Sequence, residues 1–273
     1  MDSLGKLVFV GLGLYDCSDL TLRGLRALEE ADAVYLEAYT NLVPGLSLQE
    51  LEEIAGKKIK VLGRRDLEER SGLELIEEAR DKVVVLLVPG DPFIATTHVA
   101  VRLEAEKRGV ETEVVHAPSI LSAAASSTGL QPYKFGKLAT LVYPRPEHGF
   151  YPLSTYETLA DNLSRGLHTL LLLDLRVEEG VYMSVRDAVE VLYELEERAQ
   201  RGIVSGSTLG VGLARIGSPD QVIKAGTLEE LRELEFGPPP HSLAIPGRLH
   251  PLEAEALVVL CGCRRELVDR WLK

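Results

Sequence analysis

The chain is short of cysteine, methionine, aromatic residues and asparagine, and it has no long apolar run and no basic stripe. Its three cysteines, Cys17, Cys261 and Cys263, frame no disulfide set and match no zinc-ligand spacing, so no metal is expected. Cys261-Gly262-Cys263, at the end of an apolar run, reads as buried packing. Asparagine occurs only at Asn41 and Asn162, and Glu/Arg-dense segments abound, a balance that leans towards a heat-adapted source. No apolar stretch approaches the roughly 20 residues of a membrane helix; the longest candidates, 7–14 and 170–173, are strand-sized. Asp2 precedes a short apolar stretch without a small-residue cleavage site, which speaks against a secretory leader and for a cytoplasmic protein. With 42 acidic against 30 basic residues the net charge is −12, which argues against binding along a nucleic-acid backbone and leaves room for a basic protein partner.

What is present is an α/β pattern. At 273 residues the chain suits one large or two medium domains, and 45% hydrophobic with 26% charged residues is ordinary for a globular protein. The stretch from Val84 to His98 organises the rest. Val84-Val85-Leu86-Leu87-Val88 is a short β-branched run that reads as a strand buried on both faces. It stops at Pro89-Gly90-Asp91-Pro92, where the prolines cannot donate ladder bonds and Gly90 can take φ > 0. Thr96 and Thr97 then read as caps of a helix running towards Gly109. In open α/β sheets ligands gather at the carboxyl ends of strands, and Asp91 sits at one.

In chain order, a strand at 7–10 enters Gly11-Leu12-Gly13-Leu14-Tyr15-Asp16, Asp19 reads as the cap of the next helix, and a strand at 33–37 ends in Glu37. This opening imitates a dinucleotide site, with Glu37 placed as a ribose-binding acid; the third glycine is replaced by Asp16, which speaks against it. A helix over 46–54, a strand over 59–62, a helix over 73–82, a strand over 112–115 and a small-residue helix over 121–127 follow. Strict alternation implies a mostly parallel sheet. The second half reads as strands at 139–143, 168–174, 208–213, 221–225, 242–247 and 256–260, with helices at 156–165, 185–201 and 228–234 and a terminal helix holding Trp271. The boundary is expected near Pro118, giving an amino-terminal α/β domain over 1–117 and a carboxy-terminal α/β domain with a mixed sheet over 118–273.

Several motifs in this order resemble those of the diphthine synthases, within the tetrapyrrole methylase-like superfamily. They are the Gly11–Asp16 loop, Pro89-Gly90-Asp91-Pro92 with Ala95-Thr96-Thr97-His98, His116-Ala117-Pro118-Ser119-Ile120 and Tyr133-Lys134-Phe135-Gly136-Lys137. Gly166-Leu167-His168, Leu213-Ala214-Arg215, Pro240-His241 and Pro246-Gly247-Arg248-Leu249-His250 continue the series. The resemblance implies two α/β domains of the tetrapyrrole methylase type with a cofactor cleft between them, a homodimer, and S-adenosyl-L-methionine as cofactor, leaving as S-adenosyl-L-homocysteine. By motif position it implies Leu14, Asp91, Ile94, Ser119, Ile120, Leu173, Ile216 and His241 as cofactor-binding residues. Most lie at or just past the carboxyl end of a strand read from the sequence. Leu173 and Ile216 read equally as core packing, and His241 also reads as a loop histidine satisfied by backbone.

The implied reaction is repeated methylation of the amino group of the modified histidine of elongation factor 2, giving diphthine in diphthamide biosynthesis. An amine is a good nucleophile, so alignment and exclusion of water can supply most of the rate. A proton must leave before each attack, and His241, His98 and solvent all stand as candidates to take it. The loop at 144–152, with Arg145, His148, Phe150 and Tyr151, reads as a mobile aromatic rim for a protein acceptor. Three other readings stay open: a methyltransferase acting on a small molecule such as a porphyrin precursor, an NAD-dependent oxidoreductase using the first glycine loop, and a non-catalytic acidic interaction protein.

Overall fold

The computed structural model describes residues 5–272; residues 1–4, with the Asp2 of the leader argument, and residue 273 lie outside the described residues. The chain divides into two compact units, Met1–Ile120 with Arg176–Gly180, and Leu121–Leu175 with Val181–Lys273. Among the described residues, no helix is long and apolar enough to cross a membrane.

The first unit alternates β1 (Lys6–Gly11), α1 (Leu22–Glu30), β2 (Ala33–Glu37), α2 (Leu48–Ala55), β3 (Ile59–Leu62), α3 (Leu73–Glu78), β4 (Val83–Val88), α4 (Val99–Lys107) and β5 (Glu111–Val115). All its strands are parallel, in the order β3-β2-β4-β1-β5. The apolar run of β4 serves both faces. Val85 and Leu87 join Val8, Val10, Leu28 and Leu51 on one side, while Val84, Leu86 and Val88 join Leu7, Phe9, Leu75 and Ile76 on the other. A strand with helices on both faces needs apolar residues at successive positions, which is why this run does not alternate.

Local rules explain the helix starts, and several differ from those expected. Thr21, not Asp19, caps α1 by accepting from Gly24 N–H, and Ser47 caps α2. Neither Thr96 nor Thr97 caps α4, which begins after His98; Thr96 Oγ1 donates to Pro92 O and Thr97 Oγ1 to Glu68. Both hydroxyls serve to fold the loop. The third helix stops at Glu78, shorter than the expected 73–82, and residues 65–69 make one wide helical turn.

The second unit contains most of α5 (Ile120–Thr128), then β6 (Ala139–Leu141), α6 (Leu153–Ser164), β7 (Thr169–Leu173), the first residue of the short strand β8 (Leu175–Arg176), the short strand β9 (Val181–Tyr182), α7 (Val185–Ala199), β10 (Leu209–Ala214), β11 (Val222–Thr227), α8 (Leu228–Glu233), β12 (His241–Ile245), α9 (Pro251–Cys261) and α10 (Arg265–Val268). Its main sheet runs β11-β10-β12-β7-β6, antiparallel except for the β6–β7 pair. Leu171, Leu173, Leu192, Leu195, Leu228, Leu231, Leu243 and Ile245 share its core.

The expected strand at 256–260 is a helix. His250 Nδ1 accepts from Leu252 N–H, Glu253 reaches back to His250 N–H at 2.7 Å, and Pro251 occupies the first turn, so the helix start is strongly capped. Ala254, Leu257 and Cys261 are buried at helical spacing, whereas Val259 and Leu260 are exposed. A strand inside a sheet would have to bury them.

Candidate functional site

In the first unit, the loops leaving β1 and β4 clasp each other. Gly13 N–H donates to Gly90 O at 3.2 Å, Gly90 N–H donates to Gly13 O at 2.9 Å, and Leu12 N–H donates to Val88 O at 2.8 Å. Both glycines have positive φ, +77° and +72°. A Cβ at Gly13 would strike Asp19 Cβ at 2.2 Å, because the Asp19 carboxylate folds back to accept from Leu14 N–H at 2.8 Å and Tyr15 N–H at 2.9 Å. Asp19 therefore shapes the loop that presents Leu14. At Gly90 the position is the reverse: a Cβ would meet no atom within 4 Å. The backbone there borders open space at the carboxyl edge of the sheet.

Asp91 is buried and directs its carboxylate sideways. Its Oδ1 accepts from Phe93 N–H at 3.3 Å, and its Oδ2 receives His116 Nδ1 at 2.7 Å and Ala117 N–H at 3.4 Å. Ile94 is half-buried, Ser119 is buried and Ile120 opens α5 half-buried. Leu14, Asp91 with Ile94, and Ser119 with Ile120 thus belong to the loops that leave β1, β4 and β5, which are neighbours in the order β4-β1-β5.

Glu37 is fully buried and committed. Its Oε1 accepts from Tyr39 N–H and Thr40 N–H, both at 2.6 Å, and its Oε2 from Thr40 Oγ1 at 2.6 Å, with His98 Nε2 at 3.3 Å. Burial alone would raise its pKa, but the bonds from His98 and Thr40 outweigh that and hold the carboxyl below its usual range. No lone pair is left for a ribose hydroxyl, and Asp16 is spent capping Ser18 N–H. This removes the basis for the nicotinamide reading.

In the second unit, Leu173, Ile216 and His241 lie at one edge of the main sheet. Ser242 pairs with Leu172 and Ala214 with His241, so the end of β7, the start of β12 and the residues just past β10 fall side by side. His241 therefore lies at the amino end of its strand, not the carboxyl end; antiparallel pairing brings it to that edge. Its ring is held from both sides: Nδ1 accepts from Val185 N–H at 3.3 Å, and Nε2 donates to Gly237 O and Pro238 O at 3.1 and 3.0 Å. Burial, against the pull of those carbonyls, keeps its pKa below the ordinary value. Leu173 and Ile216 are both buried, and Leu173 belongs to the core.

Two histidines expected as candidate bases are thereby closed off. His241 has no spare nitrogen, and the fully buried His98 faces Glu37. Two side chains that the motif reading left without a role contact a residue of the expected set or the segment leading to one. Arg215 is buried, with its guanidinium donating to Phe236 O at 2.8 Å, Pro238 O at 2.5 Å, Asp220 O at 2.8 Å and Asp220 Oδ2 at 2.7 Å, and it ties down the segment leading to His241. His116 is the other, exposed beside Asp91. Neither stands out in the sequence, because most of Arg215's acceptors are backbone carbonyls and His116 meets Asp91 across 25 positions.

The expected aromatic rim is a closed turn. Arg145 and Phe150 exchange backbone bonds at 2.9 and 3.1 Å around a turn at Pro146–His148. Arg198 lies 3.4 Å over the Tyr151 ring, leaving Phe150 as the exposed aromatic of the loop.

The first unit's edge suits a ligand with an apolar body and a cationic group. Gly90 lets a ligand approach backbone, Leu14 and Ile94 offer apolar surface, and Asp91 supplies a carboxylate. Residues 6–232 match the family described as Tetrapyrrole (Corrin/Porphyrin) Methylases. The chain is 46% identical over 258 residues to the diphthine synthase of Methanocella arvoryzae, across 94% of this chain and 99% of that one. It is 45% identical over 267 residues to the diphthine synthase of Staphylothermus marinus, across 97% of each. A crystal structure of diphthine synthase superposes with a TM-score of 0.86 at 41% identity, over 97% of this chain and 99% of the other.

Proposed function

Because this chain belongs to the tetrapyrrole (corrin/porphyrin) methylase family and, within it, to the diphthine synthases, we propose that it methylates the amino group of the modified histidine of elongation factor 2, with S-adenosylmethionine as donor. The observation that carries this reading is similarity to diphthine synthases along nearly the whole of both chains. When bound, the cofactor supplies an electrophilic sulfonium methyl. By the resemblance, the residues that would hold it are Leu14, Asp91, Ile94, Ser119, Ile120, Leu173 and Ile216, through apolar contact, backbone and the Asp91 carboxylate. His241, whose ring nitrogens are both engaged, contributes through backbone and by holding its neighbours. Neither a covalent intermediate nor a metal is called for, since orientation and water exclusion can account for most of the acceleration. The acidic surface, with its net charge of −12, suits a basic protein acceptor. The homodimer that the resemblance implies and a cytoplasmic location belong to the same proposal.

The test uses labelled S-adenosylmethionine and extract from cells blocked at this step. Label is expected on one large acid-precipitable protein and is lost when the modified histidine is absent. Label in the small-molecule fraction, as on a porphyrin precursor, would overturn the acceptor while keeping family and cofactor.

A further inference from the structure

With His241 and His98 closed off, solvent and any accessible basic side chain are left to take the proton that each methylation must remove. His116 directly follows β5, whose last residue, Val115, pairs with Val10 of β1. Asp91 follows β4 on the other side of β1. Gly11 marks how tightly the two loops converge: a Cβ there would lie 2.5 Å from Gly90 O and 2.6 Å from Ala117 Cβ. Across this junction Asp91 Oδ2 and His116 Nδ1 meet at 2.7 Å. The carboxylate is 10% exposed and the imidazole 75% exposed.

This asymmetry has a chemical consequence. An ionised carboxylate only accepts hydrogen bonds, so the Nδ1 facing it carries the hydrogen, and the Nε2 lone pair is left pointing away from Asp91. A buried carboxylate behind an imidazole fixes its tautomer and its orientation. Among the described residues, Asp91 is the one charged group in hydrogen-bond or ion-pair contact with this ring. Stability does not explain the arrangement. A pair with one partner so exposed contributes little to folding, and Asp91 already has Phe93 N–H and Ala117 N–H as partners.

We propose that His116, oriented by Asp91, is the general base that takes the proton from the acceptor amine before each methyl transfer; this rests on the methyltransferase reading above. Nε2 accepts a proton from the ammonium, and the freed nitrogen pair then forms the N–C bond as the S–C bond of the sulfonium breaks, the sulfur keeping its electrons. The imidazolium returns its proton to water, which its exposure allows. A trimethylated product needs this cycle repeated, and an exposed base can reset between transfers.

The experiment is single-turnover methyl transfer to elongation factor 2 carrying the unmethylated residue, across a pH series, for wild type, His116→Gln and His116→Ala. Cofactor affinity is measured alongside by calorimetry. Both variants are expected to bind cofactor within about twofold of wild type, since Asp91 keeps its other partners. Their rates should fall on the order of 100-fold near neutral pH, the loss typical of a removed general base. The deficit should shrink as pH rises through the ionisation of the amine, and added imidazole should restore part of the His116→Ala rate. A structural role would produce neither the pH convergence nor the rescue. Unchanged rates and pH profiles would overturn the proposal, as would a loss that follows cofactor affinity and does not respond to imidazole. If wild type itself transfers no label to the factor, the functional reading fails and takes the base with it, and that outcome is separate because it appears before any variant is compared.

Discussion

Glu37 and His98 meet at 3.3 Å with both side chains fully buried, across 61 positions of sequence. The contact links the last residue of β2 to the last residue of the β4–α4 loop, the loop that carries Asp91 and Ile94. Glu37→Gln keeps the shape but offers Tyr39 N–H and Thr40 N–H a weaker acceptor or an opposed amide. We expect a loss of about 1–3 kcal/mol in stability and a weaker grip on cofactor. Thermal melting with and without S-adenosylmethionine checks this, and an unchanged melting temperature would sink it.

Glu253 is the corresponding hub of the second unit. It is fully buried and accepts from His168 Nε2 at 2.9 Å, Gln131 N–H at 2.9 Å, His250 N–H at 2.7 Å and the Lys134 ammonium. Burial pushes its pKa up, but these donors outweigh it and bring it from 4.5 to about 2. A depressed carboxyl stabilises the fold above its unfolded pKa, and that contribution is lost as pH falls through the folded one. The window therefore runs from 4.5 down to about 2, and the contribution is about 3 kcal/mol. Glu253→Gln should be clearly less stable at pH 7, with the gap to wild type narrowing through that window. A constant gap in denaturant titrations at several pH values would refute the assignment.

Arg215 joins Asp220 to the carbonyls of Phe236 and Pro238 from a buried position with φ of +49°. Arg215→Ala strands the Phe236 and Pro238 carbonyls and should destabilise by roughly 1–3 kcal/mol for each acceptor left unpaired, whereas the exposed Asp220 adds little. Arg215→Lys should recover little, since an ammonium cannot reproduce the planar fork. Equal stability of the lysine variant and wild type in urea would show that only charge matters there.

What the sequence discloses follows from where the physical signal is written. The run Val84–Val88 declares a two-sided strand because both faces need apolar residues at every position, and the structure buries all of them. The paired glycine loops are visible because positive φ favours glycine. The strand expected at 256–260 shows the opposite case: Val258, Val259 and Leu260 look β-forming, while the deciding information lay upstream in His250, Pro251 and Glu253. The Glu37–His98 and Asp91–His116 contacts join residues 61 and 25 positions apart and leave no local trace. Arg215 is hidden for another reason, because most of its acceptors are main-chain carbonyls that any sequence would provide.

Asp91 tests whether a carboxylate with interior partners still serves a ligand. Asp91→Ala leaves Phe93 N–H without its acceptor and His116 without its anchor, and both groups lie near solvent, so the melting temperature should fall only a few degrees. Cofactor affinity should fall about 10- to 150-fold, equivalent to losing one charge-assisted bond of about 1.5–3 kcal/mol. Unaltered affinity in calorimetry together with a large drop in melting temperature would make Asp91 a structural turn residue.

Three glycines of the same site should respond differently to one methyl group. Gly11→Ala would push its Cβ to 2.5 Å from Gly90 O and 2.6 Å from Ala117 Cβ, both on backbone-anchored positions that cannot retreat without parting the loops. Gly13→Ala meets Asp19 at 2.2 Å and adds strain at φ +77°, displacing the carboxylate that holds Leu14. Both should lose stability and cofactor binding together. Gly90→Ala has the strain of φ +72° but no steric clash, so the fold should lose only about 1–2 kcal/mol. Its methyl group would instead project into the open space that we assign to the cofactor. Gly90→Ala should therefore weaken S-adenosylmethionine binding by more than its loss of stability accounts for, as measured by calorimetry at a temperature where the variant is fully folded. Wild-type affinity in Gly90→Ala would mean that the cofactor does not approach this backbone, and the site would have to be sought elsewhere on the sheet edge.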